Sequence, residues 1–524
     1  MPQSPTNNNQ TSPQGAINVA TDALGAKPLA STHPPSTPPA GPLPPLPQTP
    51  PPLESSPPPP LSPTAGPRPD KFPQPPPTAQ PRPPEKSKST KIQKSPFRFM
   101  IPLLLFIVIG GLIYAGIKFL PQFISTKTRS LTLTYWGLWE PSENLQTVFQ
   151  EFESQNPGVK VNYVQQSPKD YRERLQAAID RGEGPDIFRF HNTWVPLLKN
   201  NLANLPSSVL TNTEFESTFY PVAAKDLRLG DSYVGIPLMF DGLALYYNKN
   251  ILSAAGKTPP TTWENLRQIA AELTLRDDQE KIIRSGVALG TTANVDHWPD
   301  ILGLMILQNG TTPARPTDQL AQDALAFYTL FSRTDKIWDE TLPSSIQAFT
   351  LEKAAMIFAP SWRAFDIKSK NPSLDFATVP VPQLPKTNLT WASYWAEGVS
   401  SATTKDKQAY GWKLLKFLSQ SDQQKALYTA ASQTRLFGEP YSRKELASQL
   451  TNDPVVAAYL TSAPTAQSWY LASATHDNGV NDRIIKYYED AINAINQGEN
   501  LEDVTTTAEQ GITQVLSQFG VPSR

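Results

Sequence analysis

From residue 131 onward the spacing of apolar residues switches repeatedly between a period of two and a period near three and a half. Leu131, Leu133 and Tyr135 alternate with Thr132, Thr134 and Trp136, which predicts a strand. Leu145, Val148, Phe149 and Phe152 then fall on one helical face, and Asn156, Pro157 and Gly158 stop that helix. Val159, Val161 and Tyr163 restart strand alternation, Tyr171, Leu175, Ala178 and Ile179 form a second helical stripe, and after GEGP comes a strand from Asp186 to Phe190. Strand, helix, strand, helix, strand predicts a parallel sheet, in which ligands bind at the carboxyl ends of strands, here the loops after Trp136 and Phe190.

The run Tyr233 to Leu252 is the most informative in the chain. Val234, Ile236 and Leu238, then Leu243, Leu245 and Tyr247, alternate as strand faces do, and the one carboxylate of Asp241 interrupts them. The pattern predicts two passes through sheet with an acid between them, followed by a turn and a helix. Thr261 and Glu264 form a capping-box pattern ahead of Trp263, Leu266, Ile269, Ala270 and Leu273. Further strands are expected at Ala354 to Phe358 and Phe376 to Val381. Later helices are expected to carry Ala409, Trp412 and Leu415, and Ile484, Tyr488, Ala491, Ile492 and Ile495.

Composition adds a different picture for the N-terminal quarter. Most of it is proline-rich and almost free of aromatics, so it cannot bury enough surface to offset chain entropy and is expected to be disordered, with polyproline II stretches. Phe99 to Ile117 is then a run of 19 uncharged residues, close to the length of a membrane-spanning helix. Lys86, Lys88, Lys91, Lys94 and Arg98 precede it, against Lys118, Lys127 and Arg129 after it, which favours a cytoplasmic N-terminus. The long preceding tail and the want of a small-x-small site argue against a cleaved signal peptide. Lys and Arg number 46 against 47 Asp and Glu, which makes no electrostatic case for nucleic acid. Cysteine is absent, which removes disulfides, thiolate metal sites and a lipid-modified cysteine, and the four histidines lack the short spacings of zinc ligands. Neither metal nor cofactor is expected.

Several segments follow one another in a telling order: TYWGLWEP, EFESQNPGVKVNYV, GEGPDIFRF, IPLMFDGLALYYNKNIL, PPTTWENL, EKAAMIFAPSW, YWAEGVSSATTKDKQAYGWKLLKFL and GENLEDVTTTAEQGITQVL. Together they resemble the family 1 extracellular solute-binding proteins, the maltose-binding-protein-like receptors of ABC importers. The resemblance implies an α/β, two-lobed periplasmic-binding-protein type II (Venus-flytrap) domain whose chain crosses between lobes about three times. The expected organisation is a cytoplasmic tail at 1–96, a transmembrane helix at 97–120, a linker at 121–130 and a solute-binding domain at 131–524. One lobe takes about 131–239 and 385–450, the other about 242–380 and 455–524, with hinges near 239–242, 378–384 and 450–455.

A sugar offers an apolar C–H face and a rim of hydroxyls, so its receptor needs aromatic plates and side chains that bond neighbouring hydroxyls. By the resemblance, Trp362 in APSW matches a tryptophan that stacks on sugar and Asp241 matches a cleft acid. Trp139 and Glu140 follow the first strand, and His191, Asn192 and Trp194 the third, where a cleft would lie. Trp298, beside Asp296 and His297, and Tyr394 with Trp395 complete the candidates. Trp263 and Trp412 sit on apolar stripes and are left to the core, and Arg363 and Arg435 are held for an anionic ligand. The expected protein is a non-enzymatic receptor, anchored in the cell membrane by one pass, that captures a carbohydrate outside the cytoplasm and hands it to an ABC permease. The rivals are the same fold with a phosphorylated or other polar metabolite, a surface glycoside hydrolase using Asp241 and Glu140, and a sensor that signals through its proline-rich tail.

Overall fold

The computed structural model describes residues 109–110 and 130–522; Ile109 and Gly110 are helical. The proline-rich tail and all but these two residues of the Phe99–Ile117 run lie outside the described residues. Among the described residues no helix is long and apolar enough to cross a membrane.

The first half of the fold is built as its periodicities dictate. Strand β1 (Leu131–Gly137) is followed by helix α1 (Ser142–Gln155), whose buried face is Leu145, Val148, Phe149 and Phe152. Asn156 ends the helix by donating from Nδ2 to the Phe152 carbonyl at 2.7 Å, and Gly158 takes φ 90°, open to glycine without steric cost. Strand β2 (Val159–Gln165) returns parallel to β1, in register from Leu131 opposite Val159 to Gly137 opposite Gln165. Helix α2 (Tyr171–Asp180) buries Tyr171, Leu175, Ala178 and Ile179, and strand β3 (Ile187–His191), buried along its whole length, pairs parallel to β1.

The second half centres on a different sheet. Strand β4 (Ala244–Asn248) is followed by helix α3 (Trp263–Leu273), with Trp263, Leu266, Ile269, Ala270 and Leu273 all buried. The cap of α3 lies one residue later than the sequence pattern suggests: Thr262, not Thr261, accepts from the Asn265 amide at 3.2 Å. Strands β5 (Leu275–Arg276) and β6 (Ile282–Val287), helix α4 (Trp298–Gln308), strand β7 (Ala354–Ala359), helix α5 (Arg363–Lys370) and strand β8 (Phe376–Pro380) complete a five-stranded sheet of order β8-β4-β7-β6-β5. The short strand β9 (Thr390–Trp391) leads back to β10 (Trp395–Val399), which joins the first sheet antiparallel to β3 and gives the order β10-β3-β1-β2. The first sheet is therefore parallel except for this late edge strand. Helix α6 (Lys405–Leu418) buries Trp412 and Leu415 but leaves Ala409 exposed. Strand β11 (Ala466–Gln467) pairs with β9, and the helices α7 (Val480–Gln497) and α8 (Leu501–Phe519) end the described chain.

The Tyr233–Leu252 run departs from expectation in its first pass. Only Ser232 and Tyr233 form a strand, in a hairpin with Arg228–Leu229. Residues 234–243 run between the sheets, touching strand partners only through isolated bridges, Ile236 with Glu397 and Gly242 with Ala392. A segment that leaves one sheet for another cannot extend either ladder, and Pro237 has no N–H to give one. The return passage satisfies it instead: Leu243 N donates to the Trp391 carbonyl at 3.3 Å, and Ser393 N to the Asp241 carbonyl at 3.1 Å. A third passage is tied where Thr378 N donates to the Pro454 carbonyl at 2.9 Å and Thr378 Oγ1 to the Val455 carbonyl at 2.6 Å.

The two passages lie so close at Gly242 that a Cβ there would stand 2.0 Å from the Trp391 carbonyl oxygen, backbone against backbone. Gly242→Ala is expected to destabilise the fold by about 1–3 kcal/mol or more, read as a lower urea midpoint at unchanged slope. An unshifted midpoint would show that the passages separate freely.

Candidate functional site

A cavity of about 340 Å³ lies between the two sheets, walled by residues from both halves and from the outgoing and return passages. From the first sheet come Trp139 beyond β1, His191 at the carboxyl end of β3, and Trp395 at the start of β10. The outgoing passage adds Met239, Asp241 and Leu243. From the second half come His297 and Asp300 at the start of α4, and Trp362 and Phe365 where β7 passes into α5. Arg435, Glu439, Ser473 and His476 close the wall from later in the chain.

Five of the ten residues singled out from sequence therefore meet around one space: Trp139, His191, Asp241, Trp362 and Trp395. Trp139 and Trp362 are 42% and 38% exposed, unusual for indoles and consistent with plates that wait for a partner. Trp395 is braced edge-on by three rings, Trp139 at 4.9 Å, Trp194 at 5.0 Å and His191 at 5.1 Å. His191 is buried, and its contacts assign its tautomer. Nδ1 accepts from the Thr193 amide at 3.4 Å, with the Thr193 hydroxyl 2.8 Å away, so the ring proton sits on Nε2, 3.1 Å from Ser393 Oγ. Burial pushes the His191 pKa down to about 3, which keeps the ring neutral.

Asp241 is buried and accepts three hydrogen bonds, from Gly242 N at 2.8 Å, Ser361 N at 3.1 Å and Ser361 Oγ at 2.8 Å. Burial raises its pKa to about 7 against the pull of these donors. Asp300 accepts from Trp391 Nε1 at 2.7 Å and Ser473 N at 3.2 Å. Among the described residues neither acid pairs with a lysine or arginine. By contrast Arg435 is bound to Glu439 at 2.6 Å and Arg363 to Asp366 at 3.0 Å. The cavity thus combines apolar plates with carboxylate acceptors, and its nearest cations are already neutralised.

The other five candidates stand behind the wall. Glu140 is buried in an ion pair with Arg189, which also holds Glu397 from the neighbouring strand at 2.7 Å. Burial pushes both carboxyls up; the guanidinium outweighs this at Glu140, whose pKa falls, but not at Glu397, whose pKa rises. Glu140 is absent from the cavity wall, so it does not pair there with Asp241. Asn192 donates to Asp226 at 2.8 Å and accepts from Tyr394 N at 3.2 Å, while the Tyr394 hydroxyl donates to the same Asp226 at 3.2 Å. Both are consumed in bracing the return passage. Trp194 is fully buried under Trp395, and Trp298 belongs to the hydrophobic core.

His297 and Asp300, on either side of Trp298 and a helical turn apart, line the cavity in its place. The first turn of α4 points its tryptophan inward and its polar neighbours to the cavity. Ser473, His476 and Glu439 carry no local signal in the sequence, since only the fold brings them here.

Asp241 makes stability depend on pH in a direction opposite to that of an ion-paired acid. The folded state holds its proton more tightly than the unfolded chain, where aspartate titrates near 3.8. Its contribution is thus fully present below that value and is lost as pH rises to about 7. Across that range wild type is expected to lose stability relative to Asp241→Asn by up to about 4 kcal/mol, measured by urea unfolding of both at a series of pH values. Parallel curves would refute it.

The family model for bacterial extracellular solute-binding protein matches residues 147–436. A protein of Brucella abortus (strain 2308) named as a binding protein is 23% identical over 279 residues, 52% of this chain and 67% of its own. Among solved structures, a cyclo/maltodextrin-binding protein complexed with maltotetraose superposes with TM-score 0.60 at 19% identity, over 74% of this chain and 97% of that one. An ABC substrate-binding protein from Listeria monocytogenes in complex with cycloalternan gives TM-score 0.57 at 21% identity, over 75% of this chain and 100% of that one. With more than half its length within the family model, the chain belongs to the bacterial extracellular solute-binding proteins, and its α/β fold matches that of the two solved structures.

Proposed function

We propose that the protein captures a neutral carbohydrate in the cavity between its two sheets and delivers it to an ABC permease. The observation that carries this reading is the wall itself: indoles from both halves, Trp139 and Trp395 on one side and Trp362 on the other, with Asp241 and Asp300 paired, among the described residues, to no lysine or arginine. Indole faces suit the C–H faces of a pyranose, and unpaired carboxylates accept two neighbouring hydroxyls at once. The sugar ligands of the two structural relatives support the same chemistry.

The lobes of the reading are the two sheets with their helices, about 131–239 with 385–450 and 242–380 with 455–524, turning about the three passages. A ligand that touches both halves favours the closed form by the contacts it makes only there. Phe99–Ile117 would hold the receptor at the membrane, with residues 1–96 on the cytoplasmic side, and tethering beside a permease raises effective concentration without any new contact.

A phosphorylated cargo fits less well. Arg363 and Arg435 already neutralise Asp366 and Glu439, and an anion would meet Asp241 and Asp300 unscreened.

Calorimetric titration of the full chain in detergent with a maltodextrin series tests the proposal. Binding is expected, with Trp362→Ala weakening it by about tenfold or more, equivalent to about 1.4 kcal/mol of lost stacking, while sugar phosphates give no heat. Silence across a broad sugar panel, or tighter binding of the phosphates, would overturn it.

A further inference from the structure

Ser393 stands where the return passage enters the first sheet, just before Trp395, and lines the cavity together with Asp241 and His191. Its backbone is fixed from three directions. Ala392 N donates to the Gln467 carbonyl at 2.8 Å, Ser393 N to the Asp241 carbonyl at 3.1 Å, and Tyr394 N to Asn192 Oδ1 at 3.2 Å. The segment thus takes partners from β11, from the outgoing passage and from the turn after β3. What freedom is left to the serine lies in its side chain.

That freedom is taken up by His191. Its Nε2 lies 3.1 Å from Ser393 Oγ, and which of the two donates is decided at the other ring nitrogen. Nδ1 faces the Thr193 amide at 3.4 Å, a group that can only donate, so Nδ1 keeps its lone pair and Nε2 holds the proton. His191 then donates and Ser393 Oγ accepts. A serine hydroxyl has one proton and two lone pairs, so its own proton is still unspent after this bond. Among the described residues Ser393 Oγ makes no other hydrogen bond. In the opposite tautomer Ser393 would give its proton to the imidazole and present only lone pairs to the cavity.

We propose that Ser393 is a specificity-determining residue that donates its hydroxyl proton to a ligand oxygen, and that His191 is its positioning residue, acting by occupying a lone pair of that hydroxyl. The proposal rests on the reading of the cavity as a carbohydrate site and states what one group of the sugar must do. Asp241 accepts protons from a ligand, whereas Ser393 supplies one, so the two wall residues select a ligand that offers a donor to the first and an acceptor to the second. A hydroxyl, ring or glycosidic oxygen meets Ser393; an ammonium, which carries donors only, does not. Because backbone and imidazole hold the serine before a ligand arrives, the bond costs little further ordering.

Two measurements on the full chain in detergent test this. In the first, histidine is labelled with nitrogen-15 and the His191 signals are assigned by their loss in His191→Gln. The proton is expected on Nε2 with Nδ1 bare, and Ser393→Ala should shift the Nε2–H resonance without changing the tautomer. A proton on Nδ1 overturns the proposal, whatever the ligand. In the second, maltotetraose is titrated calorimetrically. Ser393→Ala should weaken binding by about threefold to tenfold. His191→Phe, which keeps a ring against Trp395 but has no N–H to give, should weaken it by a similar factor. The double variant should bind no worse than the weaker single one, because His191 acts through the serine. His191→Gln, whose amide can still donate to Ser393, should recover part of the loss. Unchanged affinity in Ser393→Ala overturns the donor; losses that multiply in the double variant show that His191 acts through Trp395 alone and overturn its positioning role. If the wild type ignores maltotetraose while the proton is found on Nε2, the sugar reading fails and the hydroxyl still stands as a donor to the cavity.

Discussion

The fold depends on two stretches of chain that run side by side between sheets. Once the backbone leaves β3's sheet after Ile236, no ladder can continue to satisfy it, and buried amides without partners are costly. The return passage solves this by lying antiparallel to the outgoing one. Ile236 and Glu397 exchange both backbone bonds, at 2.9 and 3.0 Å, and further along Leu243 N and the Trp391 carbonyl, and Ser393 N and the Asp241 carbonyl, do the rest. This pairing has a consequence for the cavity. It brings Asp241, Leu243, Ser393 and Trp395 to one wall although more than 140 positions separate the two segments in sequence. It also leaves room only for glycine at position 242.

Charge is distributed around this frame in a way that separates structural from ligand-facing groups. Arg189 sits under Trp139, 5.8 Å from the ring centroid, and is held by Glu140 and Glu397 from the adjoining chain segments. An arginine buried between two acids is saturated, and removing one partner would strand charge in the core. Arg363 and Arg435 are likewise each tied to an acid, and each lies over an aromatic ring, Trp362 and Phe365 respectively. Each of these cations is thus both paired with an acid and stacked on an aromatic ring.

Much of the fold was legible because local period and burial agree. The faces of α1, α2, α3 and α7 are those that the spacing of Leu145, Tyr171, Trp263 and Ile484 and their neighbours predicts. The first strand of the Tyr233–Leu252 run was not legible, because alternation of Val234, Ile236 and Leu238 reports burial on two sides and says nothing of whether a ladder partner exists; between two sheets it does not. For the cavity, residue type at a strand's carboxyl end was a good guide for Trp139, His191 and Trp362. It failed one to three positions later. Glu140, Asn192 and Trp194 follow the same strand ends, yet the chain turns inward there, binds Glu140 to Arg189 and Asn192 to Asp226, and packs Trp194 into the core. Neighbouring residues at a turn point in different directions, and sequence alone does not say which is which.

Asp241 and Trp362 show how the passage and the plate come to act as a unit. Ser361, the residue before Trp362, donates to Asp241 through both its amide and its hydroxyl. The acid at the centre of the outgoing passage thus grips the turn that carries the indole. Tyr246 adds a second grip on the same turn, donating its hydroxyl to the Pro360 carbonyl at 2.9 Å. Backbone between β7 and α5 is therefore fixed to the passage by a carboxylate and a phenol, while the indole beyond it is fixed by Arg363 and His297. A displacement of the second half about the passages must carry Trp362 with it as a rigid attachment, because every group that holds the indole in place, apart from Asp241 itself, belongs to that half. Trp139 follows β1 and Trp395 begins β10, so both move with the first sheet. The distance between the opposed plates is then set by the relation of the two sheets alone, which is the condition for a ligand between them to control that relation.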